Sequence, residues 1–147
     1  MKGNRSVPVD TVLPHIAYRD IVKAIRWLAA TFGFTEHYRY GIVDGHVSGA
    51  QMHLGGAWIM LFSAEGRPVN LDNPECFTQS LTIFVENVDA HYAHTKSVGA
   101  TIIEELHVTE YGERQYGVVD LDGHRWLFST HARDVSPEEW GAAIAEC

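Results

Sequence analysis

The length and composition of this chain are those of one ordinary folded domain. It has 147 residues, of which 46% are hydrophobic and 20% are charged, so we expect a single domain that buries roughly 70% of its unfolded surface. The longest apolar run, residues 57–62, is far shorter than the roughly 18 residues of a membrane span. Residues 1–10 contain no apolar signal-peptide core. We therefore expect a cytoplasmic protein.

The charge is negative and unevenly distributed. The net charge is −8; residues 1–73 carry seven basic and six acidic side chains, whereas residues 74–147 carry four basic and thirteen acidic ones. A negative chain without a basic stripe is a poor partner for nucleic acid or for an anionic membrane, so we expect neither. Cys76 and Cys147 form no CxxC pattern, and we expect them to be free thiols.

The sequence repeats itself with an offset of about 66 residues. A strand-like run, an acidic residue and a helical segment that ends at glycine occur around Asp20 and Gly33, and again around Glu86 and Gly99. In both copies the glycine follows the acidic residue by thirteen positions. Three further strand-like runs follow each helix, so each copy predicts a βαβββ module.

The predicted elements follow one another in the same order in both copies. Asp20 is the expected N-cap of the first helix, and either Asn87 or Asp89 caps the second. The elements are a strand over 12–18, a helix over 21–32, strands over 35–42, 47–54 and 57–63, then a strand over 80–85, a helix over 87–98, and strands over 101–108, 114–120 and 124–130.

The segments outside the modules also have recognisable compositions. We assign 11–63 to the first module, 64–77 to a linker rich in proline and asparagine, 78–131 to the second module and 132–147 to a C-terminal helical segment. Within that last segment, Ser136 stands at the N-cap of a short helix running to about residue 145, with proline at its first position and glutamate three residues after the cap.

These elements predict an α+β fold. A four-stranded sheet that is covered by one helix leaves its other face open, and a unit of about 66 residues is marginal alone. We therefore expect the two modules to form a curved, eight-stranded mixed sheet around a cleft. Such a cleft is the default small-molecule site.

Three segments carry a resemblance to a known family. They are AYRDIVKAIRWLAATFGF, VENVDAHYAHTKSVGA and YGERQYGVVDLDGHRWLFSTH. With these segments and its paired modules, the chain resembles the vicinal oxygen chelate superfamily over residues 11–131. This superfamily contains glyoxalase I, extradiol dioxygenases, fosfomycin-resistance enzymes and bleomycin-resistance binding proteins. The resemblance implies the fold and, for many members, a homodimer, but it leaves the activity open.

The metal-binding positions of the superfamily have unsuitable residues in this chain. Metal-dependent members hold an ion on four strand positions, mostly with histidine and glutamate, and the resemblance places these positions at Leu13, Met60, Ser80 and Leu127. None of the four is a histidine or a carboxylate. We therefore predict no cofactor, with a divalent metal at a displaced position kept as an alternative.

Strand alternation predicts which side chains line the cleft. The first module supplies an aromatic and polarisable wall, with either His53 or Met52 from its third strand, and the second supplies a more polar one, with Gln115 as an alternative to Tyr116. His15 is the candidate general base. The candidate ligand-binding residues are His15, Trp58, Met60, Phe62, Ser80, Tyr111, Arg114, Tyr116, Arg125 and Leu127.

Two main classes of function remain. The first is a metal-free, homodimeric binding protein, similar to bleomycin-resistance proteins, which holds an aromatic or cationic small molecule; Glu104, Glu105, Glu110 and Glu113 favour a basic ligand. The second is a glyoxalase-type lyase or isomerase, or a dioxygenase, with a displaced metal site. A metal-free lyase or isomerase with His15 as base is a further alternative.

Overall fold

A computed structural model describes residues 12–65 and 79–145 of the chain. The chain divides into two compact units, residues 1–74 and 75–147. Residues 66–77 of the predicted linker, and both cysteines, lie outside the described residues. Within the described ranges, no helix is long and apolar enough to span a membrane.

The first unit packs one α-helix against a four-stranded mixed sheet. Its strand order is β1-β4-β3-β2, with β1 parallel to β4 and the other pairs antiparallel. Asp20 caps the helix by accepting a hydrogen bond from Lys23 N at 3.1 Å, and Gly33 ends it at φ 90°. The elements are β1 (His15–Tyr18), α1 (Ile21–Phe32), β2 (Thr35–Tyr40), β3 (Gly49–Leu54) and β4 (Ala57–Ser63).

The second unit repeats this arrangement, with the strand order β5-β8-β7-β6. Asn87, and not Asp89, caps its helix by accepting a hydrogen bond from Ala90 N at 3.0 Å. The predicted α+β class with two βαβββ modules is therefore confirmed, and the eight strands pair as two four-stranded sheets. The elements are β5 (Ser80–Phe84), α2 (Val88–Ser97), β6 (Thr101–Val108), β7 (Glu113–Val119) and β8 (Arg125–His131).

Each sheet has one face covered by the helix of its own unit; we call the opposite face the open face. In the first unit, a Cβ atom at Gly33, at the end of α1, would lie 3.8 Å from Leu54 Cδ1, so Leu54 and the residues in phase with it face the helix. Each large apolar side chain that is fully buried there contributes roughly 1.5–3 kcal/mol. The buried residues of this helix-covered face are Ile16, Tyr18, Ala50, Met52, Ile59 and Leu61.

The helical part of the C-terminal segment is shorter than predicted. Its start is as expected, because Ser136 N donates a hydrogen bond to Glu139 Oε2 at 2.7 Å. The element is a single 3-10 turn, Pro137–Trp140, and the predicted continuation to residue 145 is wrong. Gly141 adopts φ 99°, a left-handed conformation that ends helical winding.

Candidate functional site

A β-bulge gives the open face of the first sheet two side chains from one strand. The pairing of β2 with β3 shifts between Glu36 and Tyr38, and such a bulge can turn consecutive residues to the same face. His37 Nδ1 lies 2.6 Å from Gln51 Oε1 and Tyr38 Oη donates to Met60 Sδ at 3.8 Å. Both side chains therefore reach open-face residues of β3 and β4.

Gln51 and Met60 form the buried floor of this face. Gln51 is fully buried, and its Nε2 donates to Met60 Sδ at 3.3 Å. The thioether thus accepts hydrogen bonds from both Gln51 and Tyr38. Burial raises the pKa of Tyr38 above its usual value, with the neighbouring Tyr40 as a smaller cause, so Tyr38 stays neutral and remains a donor.

His53 and Trp58 form a stacked pair on the same open face. Their ring centroids are 4.4 Å apart with an interplanar angle of 24°, and His37 meets the indole edge-on at 5.6 Å. The Trp58 side chain is half-buried. His53 Nδ1 is buried and has no hydrogen-bond partner among the described residues. The pair therefore offers a flat aromatic surface beside an unsatisfied nitrogen.

The first-module candidates share one face of the first sheet. Trp58, Met60 and Phe62 lie on the open face, and His15 pairs with Met60 across β1 and β4. His15, the candidate general base, is exposed at the start of an edge strand. His53 occupies the open-face position of β3, because its alternative Met52 is fully buried on the helix-covered face.

Four second-module candidates lie on or beside the open face of the second sheet. Ser80 is paired with Arg125, and Leu127 with Gly117. Tyr111 belongs to the turn before β7, and its hydroxyl donates to Gln115 Oε1 at 3.1 Å.

Arg114 and Tyr116 lie on the helix-covered face, so the prediction that they line the open face is wrong. Arg114 Nη2 donates to Asp89 Oδ1 of α2 at 2.8 Å. The Tyr116 hydroxyl donates to Thr95 Oγ1 at 3.0 Å, and burial raises the pKa of Tyr116 to about 12. The reason is strand alternation: residues in phase with Arg114 contact α2, and Gln115, the alternative, takes the open face.

A polar network occupies the open face around Gln115. This residue is 4% exposed, and its Nε2 donates to Glu104 Oε1 at 3.3 Å. His107 Nε2 lies 3.1 Å from the same oxygen. A Cβ atom at Gly117 would lie 3.0 Å from Glu104 Cβ, so the glycine leaves room for this carboxylate. The open face of the second sheet is therefore acidic and polar.

Two enclosed atoms on this face lack hydrogen-bond partners among the described residues: Glu113 Oε2 and Ser129 Oγ. The other oxygen of Glu113, Oε1, lies 3.1 Å from His131 Nδ1. Ser129 is fully buried. Each buried polar atom without a partner costs roughly 1–3 kcal/mol, so both atoms favour the approach of a further polar group.

The residues at the family's metal positions do not fit a divalent ion. Leu13 and Leu127 have no donor atom, Ser80 is exposed, and the Met60 thioether is hydrogen-bonded to Gln51. Divalent ions of this superfamily require imidazole or carboxylate ligands. In the described part of the chain, no three histidine, cysteine or acidic side chains come together as a metal-binding group.

Two βαβββ units of the same topology define a paired-module α+β protein. The family model of the Glyoxalase/Bleomycin resistance protein/Dioxygenase superfamily matches residues 9–128, and the chain belongs to this superfamily. The resemblance inferred from the sequence is therefore confirmed.

Several relatives support this assignment. An uncharacterised protein of Mycobacterium bovis is 30% identical, in an alignment of 146 positions that covers 90% of each chain. The crystal structure of TioX from Micromonospora sp. ML1 is 32% identical, with a TM-score of 0.68, over 81% of this chain and 96% of TioX. The bleomycin resistance determinant encoded on the transposon Tn5 is 18% identical, with a TM-score of 0.63, over 86% of this chain and all 100% of that one. At that identity it shares the fold alone.

Sequence reasoning missed two side chains of the open face of the first sheet, Tyr38 and Gln51, and named Glu104 without its position in the second sheet. Tyr38 was missed because strict alternation along β2 does not reveal a bulge. Gln51 could have been predicted, because it lies two residues before His53 on the same strand and residues two apart face the same side of a sheet. The place of Glu104 above Gly117 depends on the register of β6 and β7, which no local pattern specifies.

Proposed function

We propose that this protein binds a small molecule through a planar aromatic group, on the open face of the first sheet and without a metal ion. The stacked pair of His53 and Trp58 carries the proposal. A half-buried indole offers a second planar ligand ring both apolar area and favourable stacking, the latter worth roughly 0.5–1.5 kcal/mol beyond burial.

The side chains around the pair suit such a ligand. Met60 and Phe62 lie in phase with Trp58 on β4, and their polarisable or aromatic groups adapt to an apolar outline. The buried Nδ1 of His53 without a partner favours a ligand that carries an amide or another hydrogen-bonding group at the edge of its ring.

The donor chemistry favours binding over metal-dependent catalysis. At one family metal position, the Met60 thioether accepts hydrogen bonds from Gln51 and Tyr38. At another, Leu127 offers only hydrocarbon. A carboxylate or imidazole at these positions would have supported the lyase or dioxygenase alternative.

Titration of the ¹⁵N-labelled full-length chain tests the proposal. Naphthalene-2-carboxamide is the probe, and cyclohexanecarboxamide is the matched control that keeps the amide but lacks the aromatic plane. We expect saturable shifts of the Trp58 indole signal with the first compound, and binding at least tenfold weaker with the second, since tenfold is about 1.4 kcal/mol. Equal binding of the two compounds, or an unmoved indole signal, contradicts the proposal.

Variants locate the binding. We expect Trp58→Leu to weaken naphthalene-2-carboxamide at least tenfold, and His53→Phe to weaken it about threefold because the ring is kept and the nitrogen lost. The control is Trp140→Leu, which makes the same change in a side chain that is 38% exposed and should leave affinity within about twofold.

Metal-binding measurements test the alternative that the protein is a metal-dependent enzyme. Elemental analysis of protein purified without a metal-affinity tag, followed by thermal-shift titration with Mn, Fe, Co, Ni and Zn ions, should show no stoichiometric metal and no saturable stabilisation. About one bound ion per chain would favour the lyase or dioxygenase. The proposal also includes a homodimer, as the resemblance implies, and light scattering on the eluting protein measures its mass.

A further inference from the structure

The acidic open face of the second sheet contains two enclosed polar atoms at adjacent positions. The β7–β8 register pairs Glu113 with His131 and Gln115 with Ser129. Glu113 and Ser129 are therefore diagonal neighbours on one face, about 7 Å apart between Cα atoms. Glu113 Oε2 and Ser129 Oγ have no hydrogen-bond partner in the described chain.

The neighbouring side chains are already engaged. Gln115 accepts from Tyr111 through Oε1 and donates to Glu104 through Nε2. His131 lies between Glu113 Oε1 and Asp134 Oδ1, at 3.1 Å and 2.8 Å. Among the described residues, no group is thus placed to satisfy the second oxygen of Glu113, which as a carboxylate oxygen can only accept.

The charge around the two atoms is negative. Glu104, Glu113 and Asp134 supply three carboxylates against the imidazoles of His107 and His131. Arg114 follows Glu113 in sequence but is held on the helix-covered face by Asp89. The guanidinium of Arg114 therefore does not pair with the open-face carboxylates.

We propose that this face binds a protonated primary amine of a small molecule. An ammonium group has three N–H donors; one donates to Glu113 Oε2 and one to Ser129 Oγ, and the positive charge matches the surrounding carboxylates. The Glu113 side chain is 20% exposed as a whole, whereas Oε2 itself is enclosed, so the amine reaches this oxygen by displacing the side chains that cover it. The inference rests on the proposed function, because it takes the protein to be a small-molecule binder and adds the chemical class of a ligand group for the open face of the second sheet.

The test uses the full-length ¹⁵N-labelled chain and n-butylammonium. Tetramethylammonium is the matched control, since it has the same charge but no N–H donor. We expect butylammonium to shift the Gln115 side-chain amide and Ser129 backbone amide signals saturably, with tetramethylammonium at least tenfold weaker. The Trp58 indole signal serves separately as the reporter for the aromatic site, so failure at one face is distinguishable from failure at the other.

Three variants identify the contacts. We expect Glu113→Gln to weaken butylammonium at least tenfold and Ser129→Ala about threefold, because charge-assisted hydrogen bonds are about twice as strong as neutral ones. Glu138→Gln is the control: it removes the same charge from an exposed side chain in the C-terminal turn and should change affinity by less than about twofold.

Several results would overturn the inference. If tetramethylammonium binds as tightly as butylammonium, or if Glu138→Gln weakens binding as much as Glu113→Gln, the attraction is a general effect of charge. If butylammonium moves neither amide signal, no amine site exists on this face. Should Glu113→Gln fail to fold, Ser129→Ala, which deletes a single oxygen atom, decides the question.

Discussion

The buried carboxylate of Asp120 holds the turn between β7 and β8, and its removal should destabilise the second unit strongly. Asp120 is 6% exposed. Its Oδ1 accepts from the backbone N–H groups of Asp122 and His124, both at 3.0 Å. Its Oδ2 accepts from Nε1 of the fully buried Trp126 at 3.1 Å. One side chain thus satisfies three donors.

The magnitude follows from these three bonds. In Asp120→Ala the backbone donors of the turn gain access to water, but the buried Trp126 indole N–H loses the carboxylate as its acceptor, and we expect a loss of roughly 3–5 kcal/mol. In Asp120→Asn the amide oxygen still accepts hydrogen bonds from the backbone. The amide N–H₂ group then faces the Trp126 indole N–H, so that two donors meet. The expected loss is then about 1.5–3 kcal/mol.

Native-state hydrogen exchange of β7 and β8 amides measures these losses locally, which suits a chain with two compact units. A double-mutant cycle with Trp126→Phe isolates the side-chain pair, with an expected coupling of about 1.5–3 kcal/mol. Glu138→Ala, at an exposed acid, is the control. A coupling energy below about 0.5 kcal/mol would refute the reasoning, because the indole bond would then contribute nothing beyond packing.

Two further predictions concern the open face of the second sheet. Ser129→Ala removes a buried hydroxyl without a partner, so we expect the free energy of unfolding to stay equal or rise by up to about 1 kcal/mol, measured by the same exchange experiment; a loss above about 1 kcal/mol would mean that the hydroxyl is satisfied. Hydrogen bonds with Glu113, and secondly with Asp134, raise the pKa of His131 above its usual 6.5. The raised pKa means that folding favours the protonated ring, so its contribution is complete below pH 6.5 and is lost as the pH rises through the raised value. The Tm advantage of the native chain over His131→Gln should therefore be present near about pH 5.5 and absent by about pH 9, and a pH-independent difference would contradict the assignment.

Local sequence patterns predicted helices and strands correctly where a pattern is compatible with a single type of secondary structure. The amphipathic spacing between Asp20 and Gly33 predicted α1 with the observed bounds, because a capping carboxylate and a left-handed glycine specify both ends. The repeat predicted both βαβββ modules. In the C-terminal segment, the capping pattern at Ser136 predicted where the helix begins. It did not predict that the helix ends at Gly141, because a capping pattern does not specify helix length.

The sequence by itself determined the family, the order of the elements and the aromatic face of β4, since alternation and an internal repeat are properties of the chain alone. Tertiary structure decided which side chains of the other strands join each open face. A bulge directs both His37 and Tyr38 towards the open face, and contact with α2 assigns Arg114 and Tyr116 to the covered face of β7. The physical reason is that a shift of one residue exchanges the two faces of a strand, and only the pairing between strands, which involves residues distant in sequence, specifies that register.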